Sequence, residues 1–71
     1  MMPLTFAPLG EKMVINQING KDNTKRFLEN LGFTQGGDVL IISEINGNMI
    51  VNVKDTRIAI SKSMANRIMV N

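Results

Sequence analysis

Residues 27–39 read FLENLGFTQGGDV, and within them a helix ends and a strand begins. Leu28 and Leu31 are three positions apart, with Phe27 beside them, so these side chains can line one side of a helix. Gly32 stands where a helix commonly ends in a left-handed residue, a conformation that glycine adopts without a Cβ clash. We therefore expect the helix to end at Leu31, with Gly32 as its stop signal.

The residues after Gly32 predict a fixed helix ending and a tight turn. Phe33 can pack back on Leu28, which is the contact that accompanies a Schellman ending. Gly36 can take the positive φ that a type II turn over residues 34–37 requires. The structural positions predicted here are Leu28, Leu31, Gly32, Phe33 and Gly36.

Short alternating patterns on both sides of this junction predict strands. Strands are expected at residues 12–18, 38–45, 49–54, 57–60 and 68–70. The helix is expected over residues 24–31, with Asp22 or Asn23 as its cap. Asn46-Gly47 predicts a two-residue hairpin, and residues 54–56 predict a second reversal. Ser61 can cap a single helical turn that runs to Asn66.

Strict alternation makes specific predictions about which side chains face inward. On the first strand, Val14 and Ile18 should share one face. On the second strand, one face is expected to hold Val39, Ile41, Ser43 and Ile45. Near the N-terminus, Leu4 and Phe6 are expected to cover one end of the core.

These elements describe a mainly β protein with the architecture of a small SH3-like five-stranded barrel. One helix lies between strands 1 and 2, and a short helical turn precedes the last strand. A chain of 71 residues has room for one core, so residues 1–71 are expected to form a single domain. Barrel closure would hide most strand edges.

Composition excludes several kinds of chemistry. The chain has no His, Cys, Trp or Tyr, which removes imidazole and thiolate metal ligands and most nucleophile–base pairs. The six acids are isolated in sequence, and Gly36-Gly37 lacks the strand–loop–helix context of a phosphate loop. We expect no enzymatic activity, no catalytic residue, no cofactor and no metal ligand, and a protein-binding module is the leading class.

Charge and hydropathy also limit the location and the partners. The net charge is +2 and the eight cations are dispersed, whereas a nucleic-acid binder of this size would usually carry a denser patch. Lys25, Arg26 and Arg57 are the candidates for contact with a protein partner. Residues 1–10 lack the pattern of a signal peptide, and the longest apolar run is far short of a membrane helix, so we expect a soluble cytoplasmic protein.

The junction at residues 27–39 resembles the FeoA-family signature Arg/Lys-x-Leu-x-x-Leu-Gly-Phe/Leu/Met-x-Pro-Gly-x-x-Val. Arg26 falls on the basic position and Gly36 on the turn glycine, while Gln35 replaces the usual proline. Further agreement comes from Leu4, Gly10-Glu11, Ile58-Ala59-Ile60, Ala65 and Ile68-x-Val70. The resemblance covers almost the whole chain.

The resemblance implies a role connected with a transition metal ion, ferrous iron. FeoA-type proteins are small cytoplasmic partners of the bacterial ferrous iron transporter FeoB. The implied function is that of a non-catalytic adaptor that binds the cytoplasmic part of FeoB and modulates it, meeting the membrane only through that partner. Two alternatives are a small nucleic-acid-binding barrel and a regulatory domain related to iron-dependent repressors.

Overall fold

The computed structural model describes residues 1–71, which form six strands and two helices. The strands are β1 (Met2–Pro3), β2 (Lys12–Ile18), β3 (Asp38–Ile45), β4 (Asn48–Val53), β5 (Thr56–Ser61) and β6 (Ile68–Val70). The helices are α1 (Asn23–Leu31) and α2 (Lys62–Ala65), and a 3₁₀ turn spans Leu4–Phe6.

The strands form one antiparallel sheet in the order β1-β6-β2-β3-β4-β5. The predicted mainly β fold is confirmed, with α1 between the first two predicted strands and α2 before the last. The prediction missed one strand, because β1 consists of only Met2 and Pro3, which pair with Val70 and Met69. Two residues are too few for an alternating pattern to be recognised.

The core is a single cluster of 15 apolar residues, and no polar or charged side chain is buried. Five of the six strands contribute to it, because their inward-facing positions carry β-branched residues or methionine. The cluster comprises Leu4, Met13, Ile15, Ile18, Leu28, Phe33, Val39, Ile41, Met49, Val51, Val53, Ile60, Ala65, Ile68 and Val70.

The helix ending follows the sequence prediction. Gly32 has φ 116° and ψ 0°, and its N–H donates to the Glu29 carbonyl at 3.1 Å. The Phe33 N–H donates to the Leu28 carbonyl at 3.1 Å, which completes the Schellman pattern. Both Phe33 and Leu28 are fully buried, so the residue that follows Gly32 anchors the helix ending in the core.

The type II turn after this ending is also present. Gly36 has φ 86°, and the Gly37 N–H donates to the Thr34 carbonyl at 3.0 Å. The turn is held against β2 by two backbone bonds of 2.8 Å, from Gly36 N–H to the Ile15 carbonyl and from Ile15 N–H to the Gly37 carbonyl. The junction therefore fixes both the end of α1 and the approach to β3.

Both predicted reversals are two-residue hairpins. Asn46 and Gly47 have φ values of 51° and 82°, as a type I′ turn requires. Lys54 and Asp55 have φ values of 50° and 61° and connect β4 to β5 without a glycine. Ser61 caps α2, because its hydroxyl accepts a bond from the Met64 N–H at 3.2 Å.

Two irregularities overturn the predicted alternation. The register of β2 against β6 shifts between Ile15 and Gln17, so Ile18 is buried with Ile15 while Val14 is 43% exposed. A residue inserted at a bulge reverses the side on which the following side chains lie. The prediction that Val14 and Ile18 share a face is therefore wrong.

The second irregularity lies in β3, where the register against β4 shifts between Ile41 and Ser43. Ile45 is consequently 55% exposed instead of facing inward with Ile41. The lead-in prediction is half correct, because Leu4 is fully buried but Phe6 is 74% exposed.

Candidate protein-interaction surface

The exposed surface of the protein carries both charged and apolar side chains. No group of three or more His, Cys, Asp or Glu side chains is placed to hold a metal ion. Neither helix has the length and apolar content needed to cross a membrane. Exposed cations lie beside apolar side chains on this surface.

Two of the three predicted interface residues lie together at the start of α1. Lys25 and Arg26 line a shallow groove of about 300 Å³. The other residues of its lining are Gly20, Lys21, Asp22 and Glu29. Since three cations and two acids line this groove, its charge depends on whether the acids are already paired.

Asp22 is already paired, with an arginine that sequence reasoning did not assign to the site. The Arg67 Nη1 donates to Asp22 Oδ1 at 2.7 Å, and this bond holds the pKa of the Asp22 carboxyl below its ordinary value. Asp22 stands at the cap position of α1, but its side chain makes no capping bond. Of the two predicted cap residues, Asp22 occupies the cap position, but the predicted side-chain bond is absent because the carboxylate is turned toward Arg67.

Gly20 makes room for this ion pair. A Cβ at Gly20 would lie 2.7 Å from Arg67 Nη1, and Gly20 has φ 110°. The Asn19 N–H also donates to the Arg67 carbonyl at 2.7 Å. Arg67 thus connects the loop before α1 to the start of β6. Lys25 and Arg26 form no ion pair with an acid of the chain.

Phe27 adds an exposed aromatic ring to α1, which the sequence prediction had placed beside the inward leucines. Leu28 is fully buried and Leu31 is half-buried, but Phe27 is 48% exposed. Successive residues of a helix are about 100° apart around its axis. If the buried face of α1 is centred on Leu28, Phe27 therefore lies at the margin of that face. A helical projection would have shown this position.

Arg57, the third predicted interface residue, lies elsewhere. It is on β5 opposite Asn52 of β4, on the outer face of the sheet, and it is exposed. It lines neither the groove at α1 nor the groove of about 330 Å³ between Lys12 and Asp55. The structure thus separates Arg57 from Lys25 and Arg26 instead of bringing the three into one cleft.

Ion pairing further reduces the free positive charge. Lys12, Lys62 and Arg67 pair with Asp38, Glu44 and Asp22 at 4.0, 2.7 and 2.7 Å. The cations without an acid partner are Lys21, Lys25, Arg26, Lys54 and Arg57. These side chains are spread over the loop before α1, α1 itself and the β4–β5 hairpin.

Residues 2–71 of the sequence match the family model described as the FeoA domain. This chain belongs to the FeoA family. The junction that resembled the FeoA signature has a structural role throughout, because Gly32 and Gly36 both adopt positive φ and Phe33 is buried.

This FeoA-family chain is similar to three proteins, and the names of the first two refer to iron. A protein of Methanocaldococcus jannaschii, provisionally named Fe(2+) transport protein A, is 33% identical over 70 residues, covering 99% of this chain and 85% of that protein. The crystal structure of an iron uptake regulatory protein, FeoA, is 33% identical with a TM-score of 0.88, covering 99% of this chain and 93% of the other.

The third is FeoA of Stenotrophomonas maltophilia, solved with zinc and described as a prokaryotic SH3 domain protein. It is 28% identical with a TM-score of 0.88 and covers 100% of this chain and 91% of the other. The chain therefore has the SH3-like FeoA fold, and the Methanocaldococcus jannaschii relative is the one named for Fe(2+) transport.

Proposed function

We infer that this protein is a cytoplasmic accessory protein of ferrous iron uptake, and that it acts by binding the cytoplasmic part of the FeoB transporter. The match of residues 2–71 to the FeoA domain carries this proposal. The relative named for Fe(2+) transport supports it. Residues 1–71 act as one domain without an enzymatic activity or a cofactor.

The contact surface in this proposal includes Lys25, Arg26 and Arg57. These side chains have no ion-paired acid within the chain, so carboxylates of a partner can pair with them. Phe27 adds exposed apolar area next to Arg26, and aromatic residues and arginine are enriched at protein interfaces.

The distribution of charge favours a protein partner over a nucleic acid. Phosphate backbones are bound by dense positive patches, and affinity rises with the number of phosphates neutralised. Here five unpaired cations are spread over separate elements, so no dense positive patch is formed. The proposal therefore excludes nucleic acid as the main partner.

The proposal is tested by co-purification of the tagged protein with the transporter and by ferrous iron uptake in a deletion strain. We expect association, and lower uptake in the strain that lacks the gene. Normal uptake together with no association would contradict the proposed function.

The role of the helix cations is tested by the double variant Lys25→Glu/Arg26→Glu. We expect its affinity for the cytoplasmic part of the transporter to be about tenfold lower, because two charges that face partner carboxylates are reversed. Lys12→Glu/Lys62→Glu is the matched control, because it changes the net charge by the same amount at two exposed cations outside the candidate set. Equal losses in the variant and the control would show only a general effect of charge.

A further inference from the structure

The two edges of the sheet are protected very differently. At one edge, β1 has two residues, and one of them is Pro3, which has no N–H to offer another strand. At the other edge, β5 has six residues, no proline and no register shift against β4. A long regular edge strand presents unpaired backbone groups, and proteins usually cover or interrupt such an edge.

The free backbone groups of β5 belong to alternate residues. Because Lys54 and Asp55 form a two-residue loop, Val53 and Thr56 close the hairpin as a hydrogen-bonded pair. Hydrogen-bonded and non-hydrogen-bonded pairs alternate along β5, so Arg57 and Ala59 belong to non-hydrogen-bonded pairs. Their N–H and C=O groups therefore point away from β4. No loop, turn or cap backbone bond uses either residue, so an added strand could make four hydrogen bonds there.

The side chains beside this edge leave space for apolar groups of an added strand. Ala59 is exposed and lies opposite Ile50 of β4, which is half-exposed. A large apolar side chain beside Ala59 would pass over its methyl group and contact Ile50, since cross-strand neighbours lie about 5 Å apart. On the inner face, Ile58 packs against the core but is still half-exposed.

The charge at the edge selects the kind of occupant. Arg57 is the only charged residue within β5, and it has no ion-paired acid. A second copy of this chain would bring another Arg57 to the edge and no acid in exchange. A segment with an acidic side chain beside Arg57 would gain a cross-strand pair of opposite charges.

We propose that β5 is a docking edge, to which an extended segment of the protein partner adds as a seventh strand. The segment carries an acidic residue beside Arg57 and a large apolar residue beside Ala59. This inference rests on the proposed function for the identity of the partner, and it assigns the principal contact to β5 instead of α1.

The test measures amide hydrogen exchange of the ¹⁵N-labelled protein, alone and with the recombinant cytoplasmic part of the transporter. The amides of Arg57 and Ala59 should exchange rapidly in the free protein and at least about tenfold more slowly in the complex. The amide of Gln35, which also has no backbone acceptor, should not change.

Two variants with matched controls accompany this measurement. Ala59→Pro removes the N–H on the free side of the strand and should weaken binding at least about tenfold, while Ala59→Ser, which keeps the N–H, should bind normally. Arg57→Glu should weaken binding about tenfold and Arg57→Lys much less. If Ala59→Pro does not fold, the Arg57 variants and the exchange data decide.

The remaining outcomes overturn the inference in distinguishable ways. Normal binding by Ala59→Pro and Arg57→Glu, with protection confined to α1, would overturn docking at β5 and remove Arg57 from the contact surface, but it would leave the proposed role in iron uptake intact. Absence of any binding would overturn both. A dimer of the chain alone that Ala59→Pro abolishes would show that a second copy is the occupant, which also contradicts the inference.

Discussion

Gln35 occupies the first central position of the type II turn, where the family signature usually has proline. Its N–H donates no backbone bond, so a proline there would remove no hydrogen bond. Proline presets φ for this position and reduces the freedom of the unfolded chain. We expect Gln35→Pro to raise the free energy of unfolding by about 0.4–1 kcal/mol, measured by urea denaturation.

Two substitutions serve as references for this turn. Gln35→Ala removes the same side chain without fixing φ and should change stability by less than about 0.5 kcal/mol. Gly36→Ala should lower stability by about 1 kcal/mol, because Gly36 has φ 86° while its Cβ would meet no neighbouring atom. A Gln35→Pro protein no more stable than Gln35→Ala would contradict the entropic explanation.

At the scale of elements, α1 is held on the sheet mainly through one side chain. Leu28 is its only buried residue, and Phe27 is 48% exposed. We expect Leu28→Ala to lower the free energy of unfolding by about 2–5 kcal/mol, through the lost transfer energy and the cavity left behind. Phe27→Ala should change it by less than about 0.5 kcal/mol.

Urea denaturation of both variants checks this contrast, and amide exchange within α1 locates its cause. A helix of nine residues is marginal on its own, so its amides should lose protection when Leu28 is truncated. A similar loss of stability in the two variants would mean that the ring of Phe27 packs against the sheet in solution.

The elements that the sequence predicted correctly are those with a local physical cause. Gly32 ends α1 because the left-handed conformation favours glycine at that one position. Asn46-Gly47 and Ser61 act in the same way, since each satisfies its own turn or cap within a few residues. Neighbours along the chain are sufficient to recognise such signals.

The features that sequence reasoning missed depend on pairing between distant strands. The bulge that buries Ile18 is defined by the register of β2 against β6, and the bulge that exposes Ile45 by the register of β3 against β4. The local alternation of apolar and polar residues does not indicate either bulge. The same limit applies to the interface residues. Lys25 and Arg26 are neighbours in sequence and in space, but the position of Arg57 relative to them follows only from the sheet.

At the scale of the whole molecule, the bond between Asp22 and Arg67 joins residues 45 positions apart. Arg67 lowers the pKa of Asp22 in the folded protein below its ordinary value of 3.8. A depressed pKa stabilises the fold above the unfolded value, and this stabilisation is lost as the pH falls through the folded value. We expect Asp22→Asn to be less stable than the wild type at pH 7 and this difference to shrink progressively below about pH 4.

Denaturation of the wild type and of Asp22→Asn at a series of pH values measures this difference in stability. The other carboxyls titrate in both proteins, so their contribution cancels in the difference. Arg67→Gln provides the control, because Asp22→Asn should cost much less stability in that background. A stability difference that stays constant from pH 7 to pH 2 would show that the charge of Asp22 is not the cause.

The pairing of Met2 with Val70 places the two ends of the chain side by side in the sheet. A short linker could join them, and new termini could open between Asn46 and Gly47, a surface turn where a side chain at Gly47 would meet nothing. Such a circular permutant would begin with β4 and end with β3, yet it would keep every strand pair of the sheet. The fold is thus defined by which strands are neighbours, and the order in which the ribosome makes them can be changed without altering it.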